Sequence, residues 1–231
     1  MCRLPALIRV GHRGAPALAA ENTLESFDAA VAIGVDMIEF DVLPGRTRRG
    51  GLFVAHDYGA LARHPPLTLE AALAHFATPA FDGVRLQLDI KRRGHEEAVL
   101  GSLDAAGLAE RAFISTAARG VLERFRVLAP WLPLGWTVPD VPALNELPGL
   151  RRLYRRGVPA RAAARIAAGE VDALVAHWSL VNETLVEAVG SAGGEIYVWT
   201  VDDGAVIARL AALGVAGVIS NDPRLFGAIV Q

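Results

Sequence analysis

Histidines, carboxylates and cations in this chain gather at the ends of apolar runs. Leu7-Ile8-Arg9-Val10 leads into Gly11-His12-Arg13-Gly14, Met37-Ile38 into Glu39-Phe40-Asp41, Leu52-Phe53-Val54-Ala55 into His56-Asp57, and Arg85-Leu86-Gln87-Leu88 into Asp89-Ile90-Lys91. Residues i and i+2 of an extended strand share a face, so Glu39 stands beside Asp41 and Asp89 beside Lys91. Paired carboxylates offer hard oxygen donors to a divalent cation such as Mg²⁺ or Ca²⁺. Arg13 brings a planar guanidinium that grips phosphate oxygens in pairs, and Lys91 a compact charge for an anion lying against a metal. His12 and His56 are groups that exchange protons near neutral pH. Taken singly, a histidine or an E-x-D is more often structural or solvated. Together and in this order, each closing an apolar run, they describe metal-assisted cleavage of a phosphate ester.

Such groups act together only if the runs that carry them lie side by side. Short β-type runs alternate with alanine- and leucine-rich helical patterns along the whole chain. The spacing predicts eight strands: Leu7 to His12, Met37 to Val42, Arg85 to Ile90, Ala112 to Ser115, Leu134 to Val138, Ala173 to Ala176, Ile196 to Thr200 and Gly217 to Ser220. Helices are predicted over Asn22 to Ile33, Leu69 to Phe76, Glu96 to Ala106, Ala118 to Leu128, Ala160 to Ala168, Glu183 to Ser191, Ala205 to Leu213 and Pro223 to Ile229. Gly34, Gly107, Gly169 and Gly214 stand where helices end.

Eight β/α units point to a single-domain (β/α)₈ TIM barrel, with a doubly wound sheet as the alternative. In a barrel the reactive groups project from the C-terminal ends of several strands, which is where His12, Glu39, Asp41, Asp89, Lys91 and Trp199 fall. Leu52 to Ala55 reads as an extra hairpin-like strand that carries His56 over the mouth. The interval from Pro139 to Pro159 reads as a barrel-mouth loop containing a short helix. His177-Trp178 also ends a strand and is read as structural.

The composition fits one compact domain: 231 residues, 52% of them hydrophobic, with no low-complexity tract, repeat or Gly/Ser linker. A net charge of −2 provides no global field for nucleic acid. The arginines of Arg46-Thr47-Arg48-Arg49 and of Arg151-Arg152-Leu153-Tyr154-Arg155-Arg156 read as local solvated faces, or as weak attraction for anionic lipid or a phosphorylated substrate. The single cysteine, Cys2, excludes an internal disulfide. No apolar stretch is long enough for a transmembrane segment and no leader precedes the first strand, so cytoplasmic residence is expected.

With these residues in view, the chain resembles the glycerophosphodiester phosphodiesterase family. The likeness is carried by Gly11-His12-Arg13-Gly14, Glu21-Asn22-Thr23, Ile38-Glu39-Phe40-Asp41-Val42, Val54-Ala55-His56-Asp57, Leu88-Asp89-Ile90-Lys91, Val198-Trp199-Thr200-Val201-Asp202 and Gly217-Val218-Ile219-Ser220-Asn221-Asp222-Pro223. The resemblance implies hydrolysis of a small-molecule glycerophosphodiester to an alcohol and glycerol phosphate. It implies His12 and His56 as the acid/base pair, Arg13 and Lys91 on the phosphate, and Glu39, Asp41 and Asp89 around the metal. Glu21 and Trp199 would line or support the substrate pocket, with the Trp199 ring against substrate.

Three departures from the family pattern carry expectations of their own. Asp89 replaces the glutamate usual before x-Lys, which moves the metal toward that strand or inserts a water. Only Tyr58 to Thr68 follows His56-Asp57 where many members insert a subdomain, so little or no insertion and a more open site are expected. Ser115-Thr116 replaces the usual Ser-Phe, removing an apolar wall. A lysophospholipid or other diester as substrate, and a catalytically silent barrel that only binds one, are the alternative functions.

Overall fold

A computed structural model of the chain describes residues 7–46, 50–63, 65–138 and 148–228. Eight parallel strands close on themselves: β1 (Ile8–His12), β2 (Met37–Pro44), β4 (Arg85–Ile90), β5 (Ala112–Thr116), β6 (Leu134–Thr137), β7 (Ala173–His177), β8 (Glu195–Trp199) and β9 (Gly217–Ser220). β1 pairs with both β2 and β9, which leaves the eight-stranded sheet without an open edge. The short β3 (Leu52–Val54) lies antiparallel on the far end of β2. Helices α1 (Leu24–Ile33), α3 (Leu69–Phe76), α4 (Glu96–Ala105), α5 (Arg119–Leu128), α7 (Val158–Ala167), α8 (Glu183–Ser191) and α9 (Gly204–Ala212) pack around the outside, giving a TIM barrel in one domain.

Period-2 alternation sorts each strand between two hydrophobic layers. Along β2, Ile38, Phe40 and Val42 join the layer under the helices, whereas Met37 packs inside the barrel with Val10, Phe113, Val175, Tyr197 and Ile219. Glu39 and Asp41 have the parity of Met37 and therefore continue its inward row toward the C-terminal end. On β4, Leu86, Leu88 and Ile90 face the helices, and Gln87 and Asp89 face inward. The same rule turns His12, Ser115, Thr137 and Trp199 into the barrel mouth. Outside, the rings of Phe27, Phe40, Phe76 and Phe81 stack in a chain, with centroids 4.8 Å to 5.9 Å apart, each pair worth roughly 0.5–1.5 kcal/mol beyond its buried area.

Polar caps fix where helices start. Thr23, Thr68, Asn182 and Asp203 accept backbone N–H bonds at the starts of α1, α3, α8 and α9. All of the expected terminal glycines, Gly34, Gly107, Gly169 and Gly214, have positive φ.

Two stretches differ from the sequence reading, and a third answers it. Tyr58–Arg63 forms a helix, α2, where no helix was predicted; Asp57 Oδ1 accepts from Ala60 N at 2.8 Å and starts it. Leu67 then returns to the barrel, its carbonyl accepting from Val54 N, so no subdomain follows β3. The short helix expected at the mouth is α6 (Pro148–Arg156), and the preceding 139–147 lie outside the described residues. The closing helix is a 3₁₀ helix over Pro223–Ala228. No helix among the described residues is long and apolar enough to cross a membrane.

Candidate active site

The chain reverses sharply after β1. Arg13 and Gly14 have φ of 53° and 93°, and a Cβ on Gly11 would meet the carbonyl oxygen of Gly14 at 2.4 Å. A side chain at Gly11 is therefore excluded by backbone, which does not yield as a flexible side chain would. The turn aims the N–H of Arg13 at Glu39 Oε2 (3.0 Å), and its carbonyl accepts from Ser26 Oγ (3.0 Å) and from Asn22 N (3.0 Å). Asn22, itself at φ 59°, then reaches Asp41, with Nδ2 donating to Oδ2 at 2.8 Å.

Three carboxylates meet at the mouth. One oxygen each from Glu39, Asp41 and Asp89 lies within 4.8 Å of the others, because Asp41 and Asp89 are register partners on neighbouring strands. The Lys91 ammonium is 2.6 Å from Asp41 Oδ1 and contacts Asp89 Oδ2. Arg13 places Nε 3.0 Å from Asp41 and Nη1 2.7 Å from Glu21. Four carboxylates thus face two permanent cations. Burial, then repulsion from Asp41 and Asp89, pushes the Glu39 carboxyl well above the usual range. Asp41 goes the other way: its burial is outweighed by Lys91 and Arg13, which hold it low. Lys91 is held above the usual lysine range; its burial is outweighed by Asp89, Asp41 and Glu39. An all-oxygen donor set with an excess of negative charge, one member resisting ionisation, fits a hard divalent cation.

The two histidines are held differently. His12 Nδ1 is 2.7 Å from Asn221 Oδ1, and Asn221 Nδ2 donates to Asp202 Oδ2 at 2.6 Å. A carboxylate only accepts, so the amide oxygen must face the imidazole, and Nδ1 carries the proton. Nε2 is left with its lone pair toward the carboxylates, 3.8 Å from Glu39 Oε2. Burial, then the Arg13 charge, lowers the His12 pKa and favours the neutral ring. His56 stands at the exposed rim, 44% accessible, with Nδ1 3.2 Å from Asp57 Oδ2. Backbone N–H from Ala60, then the imidazole of His56, hold Asp57 at a pKa of about 2.

These groups line a cavity of about 210 Å³ at the C-terminal ends of the strands: His12, Arg13, Glu39, Asp41, His56, Asp89, Lys91 and Trp199 are all on its wall. Of the residues singled out from sequence, Glu21 alone is off that wall, acting on it through Arg13 and lining a neighbouring groove. Trp199 is partly buried, edge-on to the His177 ring at 5.3 Å. His177 accepts from Ser179 N and caps the next turn.

Gln87 and Thr137 were not singled out, and Ser115, Asn221 and Asp202 were named within motifs without a role in the site. Gln87 Nε2 donates to Ser115 Oγ (3.0 Å), which donates to Asp89 Oδ1 (3.2 Å), so the serine left where an apolar wall is missing steadies the shorter carboxylate. Gln87 Oε1, Thr137 Oγ1 and Trp199 Nε1 are buried without a protein partner on this wall. The i, i+2 rule that pairs Asp89 with Lys91 also reaches back to Gln87. Nothing in the spacing pairs Asn221 with His12, which it meets across 209 positions.

Comparison with known proteins agrees with this geometry. The model of the "Glycerophosphoryl diester phosphodiesterase family" matches residues 12–69 and 83–225. The Bacillus subtilis (strain 168) protein YhdW is 28% identical over 244 residues, covering 93% of this chain and 94% of that protein. Glycerophosphodiester phosphodiesterase GDPD4 of Arabidopsis thaliana is 26% identical over 260 residues, 95% of this chain and 72% of its own. Among solved structures, an Oleispira antarctica phosphodiesterase in complex with the product sn-glycerol-3-phosphate superposes with a TM-score of 0.73 at 20% identity, over 99% of this chain and 98% of that one, a likeness of fold. With the family model spanning most of the barrel and every motif on the cavity wall or beside it, the chain belongs to the glycerophosphoryl diester phosphodiesterase family of phosphoric diester hydrolases.

Proposed function

We propose that this cavity hydrolyses a glycerophosphodiester to an alcohol and glycerol phosphate, with a divalent cation, Mg²⁺ or Ca²⁺, held by Glu39, Asp41 and Asp89. The observation that carries the reading is the meeting of three carboxylates, two cations and two histidines on one 210 Å³ cavity. That volume is below the roughly 300–1,000 Å³ of pockets for drug-sized ligands. It suits a phosphate with a short polyol, the alcohol leaving through the mouth. The bound cation would polarise the phosphoryl oxygens and offset charge as the bond breaks.

Arg13 and Lys91 neutralise the phosphate charge from the wall. His12, buried, neutral and with Nε2 free, takes the proton of the attacking water, or of the glycerol hydroxyl in a route through a cyclic phosphate that water then opens. His56, at the rim beside Asp57, donates a proton to the leaving alkoxide. The unpartnered Gln87 Oε1, Thr137 Oγ1 and Trp199 Nε1 supply polar atoms for the glycerol side, and the Trp199 ring a surface for its carbons. His12→Ala and His56→Ala should each lower turnover of glycerophosphocholine about 10²–10⁴-fold with the fold intact. Near-normal turnover in either variant would return that histidine to a structural role. For wild type, the acid limb of the kcat/KM profile should fall below about 6.5, the ordinary imidazole value, because burial favours neutral His12.

A second reading, in which the substrate carries an apolar chain, is favoured by a groove of about 690 Å³ beside the site. Leu24, Val54, Ala55, Leu61, Pro65 and Leu67 line it together with Glu21 and Asn22, whose bonds to Arg13 and Asp41 join it to the catalytic wall. A lysophospholipid has the shape for both sites.

A further inference from the structure

We infer that the rim built by α6 and the turn Trp178–Leu180 docks on a bilayer surface carrying anionic lipid. Both pieces are on the catalytic face, since α6 follows the C-terminal end of β6 and the turn follows that of β7. The Trp178 ring packs on His177 at 5.5 Å, and His177 on Trp199, so the rim is continuous with the catalytic wall.

The rim is basic and apolar together. At helical spacing, Leu150 and Leu153 share one face of α6, and Arg156, three positions on from Leu153, flanks that face. The leucines point to solvent, 51% and 67% exposed, and Trp178 is 39% exposed. Arg155 ties α6 to the turn, donating through Nη2 to Ser179 Oγ (2.8 Å) and to the Ser179 carbonyl. Between helix and turn lies a cavity of about 610 Å³ lined by Arg152, Arg155, Arg156, Ser179, Asn182 and Thr184, and among the described residues no carboxylate lines it. Three guanidinium groups on a wall where no carboxylate is found among the described residues are complementary to phosphate headgroups, while leucine and tryptophan beside them enter the acyl boundary. Basic residues flanking exposed apolar ones make an interfacial surface. The chain's net charge of −2 makes this patch a local feature. The inference does not depend on which diester is cleaved.

The test is co-sedimentation of the full chain with phosphatidylcholine vesicles, with and without phosphatidylglycerol. Binding is expected only with the anionic lipid and should weaken as salt rises. The double variant Arg152→Gln/Arg156→Gln should bind ~30-fold more weakly, and Leu153→Ser about tenfold, while both keep wild-type turnover of soluble glycerophosphocholine. That turnover separates failure here from failure of the catalytic reading. Equal binding to neutral vesicles, a wild type that stays in the supernatant, or variants that sediment like wild type would overturn the inference. Two further results would also overturn it. If inorganic phosphate binds these arginines while vesicles do not, the cavity serves a soluble anion; if Leu153→Ser melts lower without lipid, the chain itself covers that face.

Discussion

Glu39 is the residue on which cation and proton compete. In the absence of a cation, burial and its acidic neighbours favour the protonated carboxyl, so the fold binds an extra proton between the ordinary glutamate range and the raised value. The stability from that proton is complete below the ordinary range and is lost as pH rises through the raised pKa. A cation that takes the proton's place removes this loss. Cation binding by calorimetry in buffers of different ionisation enthalpy should therefore release a proton at pH values within that window, with affinity rising as pH rises. Glu39→Gln should abolish the proton release and most of the affinity; a pH-independent affinity in wild type would separate Glu39 from the cation. The spacing of Glu39 and Asp41 was legible because it is local, two positions on one strand. Asp202 and Asn221 lay in motifs that were visible, but their task depends on a contact with His12 that chain spacing does not encode.

At the scale of elements, the strands were legible because each alternates between a helix-facing apolar row and an inward row that changes from apolar to polar toward its end. Met37, Glu39 and Asp41 show this on β2. The helix α2 was less so, because Tyr58-Gly59-Ala60-Leu61 has too short an apolar pattern and is started by Asp57, a residue read only with its histidine neighbour. The turn after β1 rests on Gly11. A methyl there would overlap the Gly14 carbonyl and press on Ala30 Cβ at 3.2 Å, so Gly11→Ala should cost about 1–3 kcal/mol, lowering the melting temperature by roughly 2–4 °C per kcal/mol. Turnover should fall further than stability, since the same turn aims Arg13 at Glu39 and Asp41. Wild-type melting and turnover would show that the turn has room to shift.

Over the whole molecule, the short span from Tyr58 to Thr68 bears on how the proposed substrate would be held. Among the described residues only α2 and the return to Leu67 border the mouth on that side, so under the proposed function few contacts surround the leaving alcohol. Discrimination between similar groups amounts to about 1–3 kcal/mol per methylene-sized difference even in closed pockets. Values of kcat/KM for glycerophosphocholine, glycerophosphoethanolamine, glycerophosphoinositol and lysophosphatidylcholine should therefore lie within roughly 10²-fold. Preference for one headgroup by several orders of magnitude would mean that another segment closes the mouth. The central claim, a carboxylate-held cation working with two histidines on a glycerophosphodiester, is tested most directly by product analysis of glycerophosphocholine after exhaustive chelation and again after Mg²⁺ or Ca²⁺ is restored. The account predicts no turnover in the first case, and choline with glycerol phosphate in the second. Full turnover after chelation, or choline phosphate with glycerol as products, would contradict it.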